Sequence, residues 1–231
     1  MTKKIYLTAI TGVFFLSLTS SVNATTINYF SQDSDADKTS VYTYFDNFLI
    51  ETFNQAPINT APSGSLDQSW TWTGSANVVN GSASGQYAAP FGTTSRDQSN
   101  YLSVPNPSSS GSITAQLGAT YDYFGLWWGS VDTYNTISFF NGSTLTQSFT
   151  GSDIKNGNDE YGNQTAPSTN VYVNFLDLER FDSFVLTSTS LAFEIDNIAV
   201  GNAPVPEPAT MLLFGTGLVG LSSLRFRKKK K

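Results

Sequence analysis

The sequence predicts an all-β fold, an antiparallel two-sheet sandwich of jelly-roll-like form, and three observations predict it. Short apolar segments recur between turn-forming residues over positions 25–203. Those segments are rich in Val, Ile, Thr, Tyr and Phe, the residues that fit a pleated surface. No long stretch repeats its apolar residues every 3.6 positions, as a helix would. In order the segments read VYTYFDNFLIETF, SWTWTGSANVV, SITAQL, YDYFGLWWGS, NTISFF, STLTQSF, VYVNFL, FDSFVLTS and LAFEIDNIAV.

The clearest hairpin spans 137–149. An apolar run ends at Asn141-Gly142, and Leu145, Gln147 and Phe149 follow at period two. Asn-Gly supplies the two positive-φ residues of a type I′ turn. Asn80-Gly81, after Val78-Val79, is a second candidate turn. In the last segment Leu191, Phe193 and Ile195 alternate, but the apolar phase then slips to Ile198 and Val200. A slip at Asp196-Asn197 predicts a β-bulge, which re-aims a side chain.

Trp70 and Trp72 stand two apart, so they share one sheet face, whereas adjacent Trp127 and Trp128 point one inward and one outward. Two readings fit these rings, core filling and stacking platforms for sugars. Asp33, Asp35 and Asp37 have calcium-loop spacing. Lys38 and Tyr44 occupy the positions where an EF-hand needs Gly and Glu, which leaves a solvated acidic leader.

The chain contains no Cys and no His. That excludes disulfide scaffolds, His-ligated zinc, and catalytic Ser-His or Cys-His arrangements. All eighteen acids lie between Asp33 and Glu207, against four bases there (Lys38, Arg96, Lys155, Arg180), a net charge of −14. Such a body repels phosphate backbones, so no nucleic-acid partner is expected. No carboxylate pair marks a glycoside hydrolase. The chain is read as non-enzymatic, without a resident cofactor.

The remaining bases lie at the two ends. Lys3 and Lys4 precede an apolar run over 5–18, and Val22-Asn23-Ala24 offers small residues for cleavage. Residues 1–24 therefore read as a secretory signal peptide, and secretion machinery and signal peptidase are implied partners. At the other end Pro204, Pro206 and Pro208 lead into an apolar stretch over 211–224, followed by Arg225, Arg227, Lys228, Lys229, Lys230 and Lys231. A helix of about 16 residues spans roughly 24 Å, short of a hydrocarbon core of about 30 Å. Snorkelling bases and local thinning close the gap, so the segment reads as a single transmembrane helix with a cytoplasmic basic stop. Gly215, Gly217 and Gly220 match a dinucleotide-binding pattern, but no βαβ unit surrounds them.

The order VPEPAT, apolar span, RFRKKKK resembles the PEP-CTERM sorting signal of exosortase-dependent exported proteins. Its motif residues are Val205, Pro206, Glu207 and Pro208. The resemblance implies a tail held transiently in the inner membrane, an exosortase that removes it, and delivery to the cell surface or extracellular matrix, with exopolysaccharide as a further partner. The final strand also resembles that of jelly-roll carbohydrate-binding modules. That resemblance implies a structural calcium shared by Glu51 and Asp196. Residues 86–92, 101–105 and 123–142 resemble a cyanobacterial-type family of exosortase-dependent surface proteins.

The expected organisation is a signal peptide over 1–24, a β-sandwich body over 25–203 and a sorting tail over 204–231. The expected function is an exported, exosortase-processed surface or matrix protein with a non-catalytic body. The alternative is a secreted carbohydrate-binding module. N-terminal sequencing of the exported protein is predicted to begin at Thr25; an intact Met1 in that fraction refutes the signal peptide.

Overall fold

The computed structural model describes residues 24–31, 39–63, 66–154 and 160–204. The signal peptide, the acidic leader at 33–37, the sorting motif at 205–208, the apolar stretch and the basic stop lie outside these residues. Among the described residues no helix is long and apolar enough to cross a membrane.

Two antiparallel sheets account for the fold. The seven-stranded sheet contains β1 (Thr26–Phe30), β2 (Asp46–Glu51), β4 (Asn77–Asn80), β5 (Asn100–Val104), β7 (Tyr123–Gly129), β10 (Val171–Leu176) and β12 (Phe193–Asn202). The five-stranded sheet runs in the order β3 (Thr71–Gly74), β6 (Gly111–Tyr121), β11 (Phe181–Ser188), β8 (Asn135–Asn141) and β9 (Thr144–Thr150). Among the described residues helix is confined to single turns at Gly151–Ile154 and Pro167–Thr169. The nine predicted segments all contribute strands. SWTWTGSANVV is divided at Gly74, sending β3 to one sheet and β4 to the other.

The sheets meet through phenylalanines. Phe124 of β7 lies 5.1 Å from Phe139 of β8 and 4.8 Å from Phe184 of β11, ring centre to ring centre. Phe175 of β10 lies 5.9 Å from Phe139. Edge-to-face pairs of this kind add to the burial of their large apolar surfaces. Trp70 and Trp72 share one face as expected, and both rings pack on Phe184 at 6.2 and 5.8 Å. Core filling is the role the structure gives them.

The hairpin at 135–150 forms with a shifted turn. Asn141 pairs with Thr144, so the loop is Gly142-Ser143, and only Gly142 takes a positive φ, of 58°. One positive φ at the first loop residue is the type II′ arrangement, not the expected type I′. A register irregularity between Phe139 and Phe140 absorbs the difference.

The large sheet is covered on both faces. All seven residues of β7 are buried, including Trp128 toward the core and Trp127 on the opposite face. Over that outer face lie residues 39–45 at one end and 81–99 at the other. Tyr123 hydrogen-bonds the Ser40 hydroxyl and donates to Asn174 Oδ1 at 2.8 Å, and its ring packs 5.2 Å from Phe45. Position 125 must be Gly here, because a Cβ would stand 2.3 Å from the Tyr123 hydroxyl.

Phe124 packs on both Phe139 and Phe184 of the opposite sheet, so truncation leaves a cavity that its neighbours cannot fill. Phe124→Ala is predicted to cost about 3–5 kcal/mol, measured by denaturant unfolding; a loss below about 1 kcal/mol contradicts this packing.

Candidate functional site

Strand β12 organises the site. It pairs with β7 along one side, and with β5 and then β2 along the other. Phe193 and Ile195 enter the core, so alternation sends Glu194 and Asp196 to the outer face. The predicted bulge is present. The register with β7 shifts between Asp196 and Ala199, and Asn197 takes a positive φ of 49°. Tyr172 donates its hydroxyl to the Asn197 carbonyl at 2.9 Å, satisfying the bulge. Past it, Ile198 and Val200 return to the core.

A solvated face would suit two acids, but residues 81–99 bury both. Glu194 is 2 % exposed and Asp196 1 %. The covering segment is pinned through them. Ala88 N–H donates to Glu194 Oε1 at 2.8 Å, and the Ser130 hydroxyl donates to Oε2 at 3.2 Å. Ser99 Oγ approaches Asp196 Oδ2 at 3.4 Å and also hydrogen-bonds Asp97. Asn170 Oδ1 accepts from Phe91 N–H at 2.9 Å and Ser130 N–H at 3.0 Å. Each bond satisfies a polar group that burial would otherwise leave costly.

Between the segment and the sheet runs a cleft of about 400 Å³. Ser82, Ser84, Gln86, Tyr87 and Gln164 line it, and Glu194 stands at its floor. Burial pushes the Glu194 carboxyl up to about 8, with the Asp132 charge adding to the rise. The Ala88 and Ser130 hydrogen bonds oppose that rise. Burial also raises Asp132, whose Oδ2 accepts the Tyr134 hydroxyl at 2.7 Å. The cleft therefore sets a carboxyl that burial inclines to keep its proton beside amides and hydroxyls, with no basic group among the described lining residues.

The two residues expected to share a calcium are not brought together. Glu51 lies opposite Ile198 in the β2–β12 register, and Asp196 opposite Trp127 in the β12–β7 register. Ile198 belongs to the main core and Trp127 does not, so the two carboxylates leave opposite faces of the sheet. Glu51 accepts Phe53 N–H and Gln68 N–H, each at 2.9 Å, and burial raises its carboxyl. Among the described residues no three Asp, Glu, His or Cys side chains converge as metal ligands. Glu194 was not legible as a site residue. Alternation alone assigns it to solvent, and the signal that it is covered is the long segment between β4 and β5.

Because Glu194 holds its proton more tightly folded than unfolded, its contribution favours the folded state below pH about 4.5 and is lost as pH rises toward about 8. Glu194→Gln is predicted to remove this dependence. Its thermal midpoint should gain on the wild type steadily between pH 5 and 8. A constant difference across that range contradicts a raised carboxyl.

Comparison with known proteins bears on the C-terminal end of the chain more than on the cleft. No curated protein matches it. Among solved structures, CpGH89CBM32-6 produced by Clostridium perfringens is similar at 13% identity with a TM-score of 0.31, covering 55% of this chain and 91% of that one. At that distance the likeness says nothing of ligand or activity. At its C-terminal end, over residues 204–229, the chain carries the PEP-CTERM protein-sorting motif.

Proposed function

We propose that the protein is an exported cargo, sorted by its C-terminal tail through the inner membrane to the cell surface or extracellular matrix, with a non-catalytic β-sandwich body. The carrying observation is the sorting motif at 204–229, which begins two residues after the last strand ends at Asn202. Exosortase is the processing partner that the motif implies. The blocks that resemble the cyanobacterial-type family support that finer placement. They fall on the 81–99 segment, β5, β7 and the start of the β8 hairpin, where the covered face and the core are built.

The cleft does not single out glycoside hydrolysis, which needs two carboxyl groups flanking the bond: among the described residues Glu194 is the one acid that lines it. A second reading, a carbohydrate-binding module, is favoured by the same lining. Amide and hydroxyl groups, the Tyr87 ring and the absence of basic groups among the described lining residues suit a neutral, polyhydroxylated ligand.

Two measurements separate these readings. Replacing Pro206, Glu207 and Pro208 with Ala is predicted to leave full-mass precursor in the inner membrane, since apolar length and flanking charge are retained. Wild-type mass and location in that variant refute sorting. For the second reading, matrix saccharides should shift the thermal midpoint of the wild type but not of Tyr87→Ala with Gln164→Ala. Equal shifts in both place any binding elsewhere.

A further inference from the structure

Both ends of the described body leave from one end of the sandwich. Ala203 N–H donates to Asp122 Oδ1 at 2.7 Å, and Asp122 N–H donates to the Gly201 carbonyl at 3.2 Å. Leu178 N–H donates to the Asp122 carbonyl at 3.0 Å, and the neighbouring Asp177 carbonyl accepts the Thr25 hydroxyl at 3.4 Å. The segments that follow the signal peptide and precede the sorting tail therefore depart side by side.

Beside that exit lies an exposed apolar rim. Ala203 packs on the Phe45, Tyr123 and Ala199 cluster together with Tyr42. The Tyr44 ring stands 5.0 Å from Phe45 and 6.2 Å from Tyr42. Tyr44 is 67 % exposed and Val41 57 %, more than Tyr29, Ile58 or Leu145, the other exposed large apolar residues described. Among the described residues the two most exposed large apolar side chains thus stand three positions apart, beside the point where the tail begins.

Covalent length fixes how far this rim can stand from a bilayer. Seven residues, 204–210, separate Ala203 from the apolar stretch. Fully extended they reach at most about 25 Å, and about 17 Å if Ala209 and Thr210 join a span that is itself too short. The headgroup layer takes up roughly 5–8 Å of that reach. Strand β12, with ten residues, is itself about 33 Å long, so the sandwich cannot turn its far end to the membrane on such a tether.

We propose that the Val41–Tyr44 rim is a lipid-facing surface, seated at the bilayer interface while the tail is held in the membrane. The inference rests on the reading that residues 211–224 are embedded there. Tyrosine suits this position, since its ring is apolar and its hydroxyl stays wet. At the same end Asp46 and Asp177 oppose anionic headgroups, while Asp122 is offset by Arg180 at 3.9 Å. The contact consequently depends on the tether and is released when the tail is cut.

The chain has no cysteine, so single reporters can be introduced cleanly. The full chain, reconstituted in phosphatidylethanolamine–phosphatidylglycerol vesicles free of other protein, would carry a fluorophore at Thr43→Cys, Ser190→Cys or Gly217→Cys. Thr43 is exposed within the rim, and Ser190 precedes β12 at the opposite end. Headgroup-labelled quencher lipids should quench position 43 several-fold more than position 190. Tyr44→Ser should weaken that quenching, and ending the chain at Ala203 should abolish it. Quenching at position 43 that Tyr44→Ser leaves unchanged, with position 217 quenched by deep labels, overturns the rim while the tail reading stands, since the tether alone brings 43 nearer the bilayer than 190. An unquenched position 217 overturns both. A rim shielded by the processing enzyme instead of lipid gives the first of these results.

Discussion

The fold depends on how a strand paired on both sides and covered on both faces accommodates its acids. Alternation along β12 cannot put Phe193 and Ile195 in the core without putting Glu194 and Asp196 on the other face. An unpaired buried carboxylate is costly, so whatever covers that face must supply donors or leave the proton in place. Residues 81–99 and Ser130 do the first, through Ala88 N–H and two serine hydroxyls. Burial does the second at Glu194, raised to about 8. The cleft is a by-product of this arrangement, since the cover touches the strand at two acids and leaves space beside them.

The bulge at Asn197 completes it. Without the slip, Ile198 and Val200 would follow Glu194 and Asp196 onto the outer face, and the second half of β12 would lose its core. With it, β12 exchanges β5 for β2 as its neighbour and still fills the main core at both ends. A strand so placed fixes the chain's exit. Ala203 stays bound to Asp122 one residue beyond it, and the sorting motif follows directly. The body therefore hands the chain on to the sorting motif at one defined end, whether or not a ligand occupies the cleft.

Much of this was legible in the sequence, for reasons that particular residues show. Short apolar segments between turn residues mark nine strand segments, and in β9 and β12 apolar alternation shares the period of the pleat. The phase slip at Asp196 announced the bulge, since a missing step in alternation has few other causes. β1 carried no comparable signal, as TINYF is short and pairs only at the sheet edge with β10. The turn at 141–143 was displaced by one residue because Asn141 closes the ladder with Thr144, a preference that local composition does not encode. Adjacency of Trp127 and Trp128 implies only that one of them faces outward; that it is Trp127, and that it is buried there, depends on the second layer over that face. Glu51 and Asp196 were joined by resemblance, and strand register alone separates them. Contacts across some hundred residues, such as Ala88 with Glu194, leave no local pattern to read.

The central claim is that the 81–99 cover is an integral layer of the body and not a surface loop. Native-state hydrogen exchange resolved to single amides tests it most directly. The account predicts that Ala88 and Phe91, bonded to Glu194 and Asn170, exchange only with the opening that releases β7 and β12. Exchange of these two amides orders of magnitude faster than the β7 and β12 amides, at the rate of an exposed turn, would contradict it.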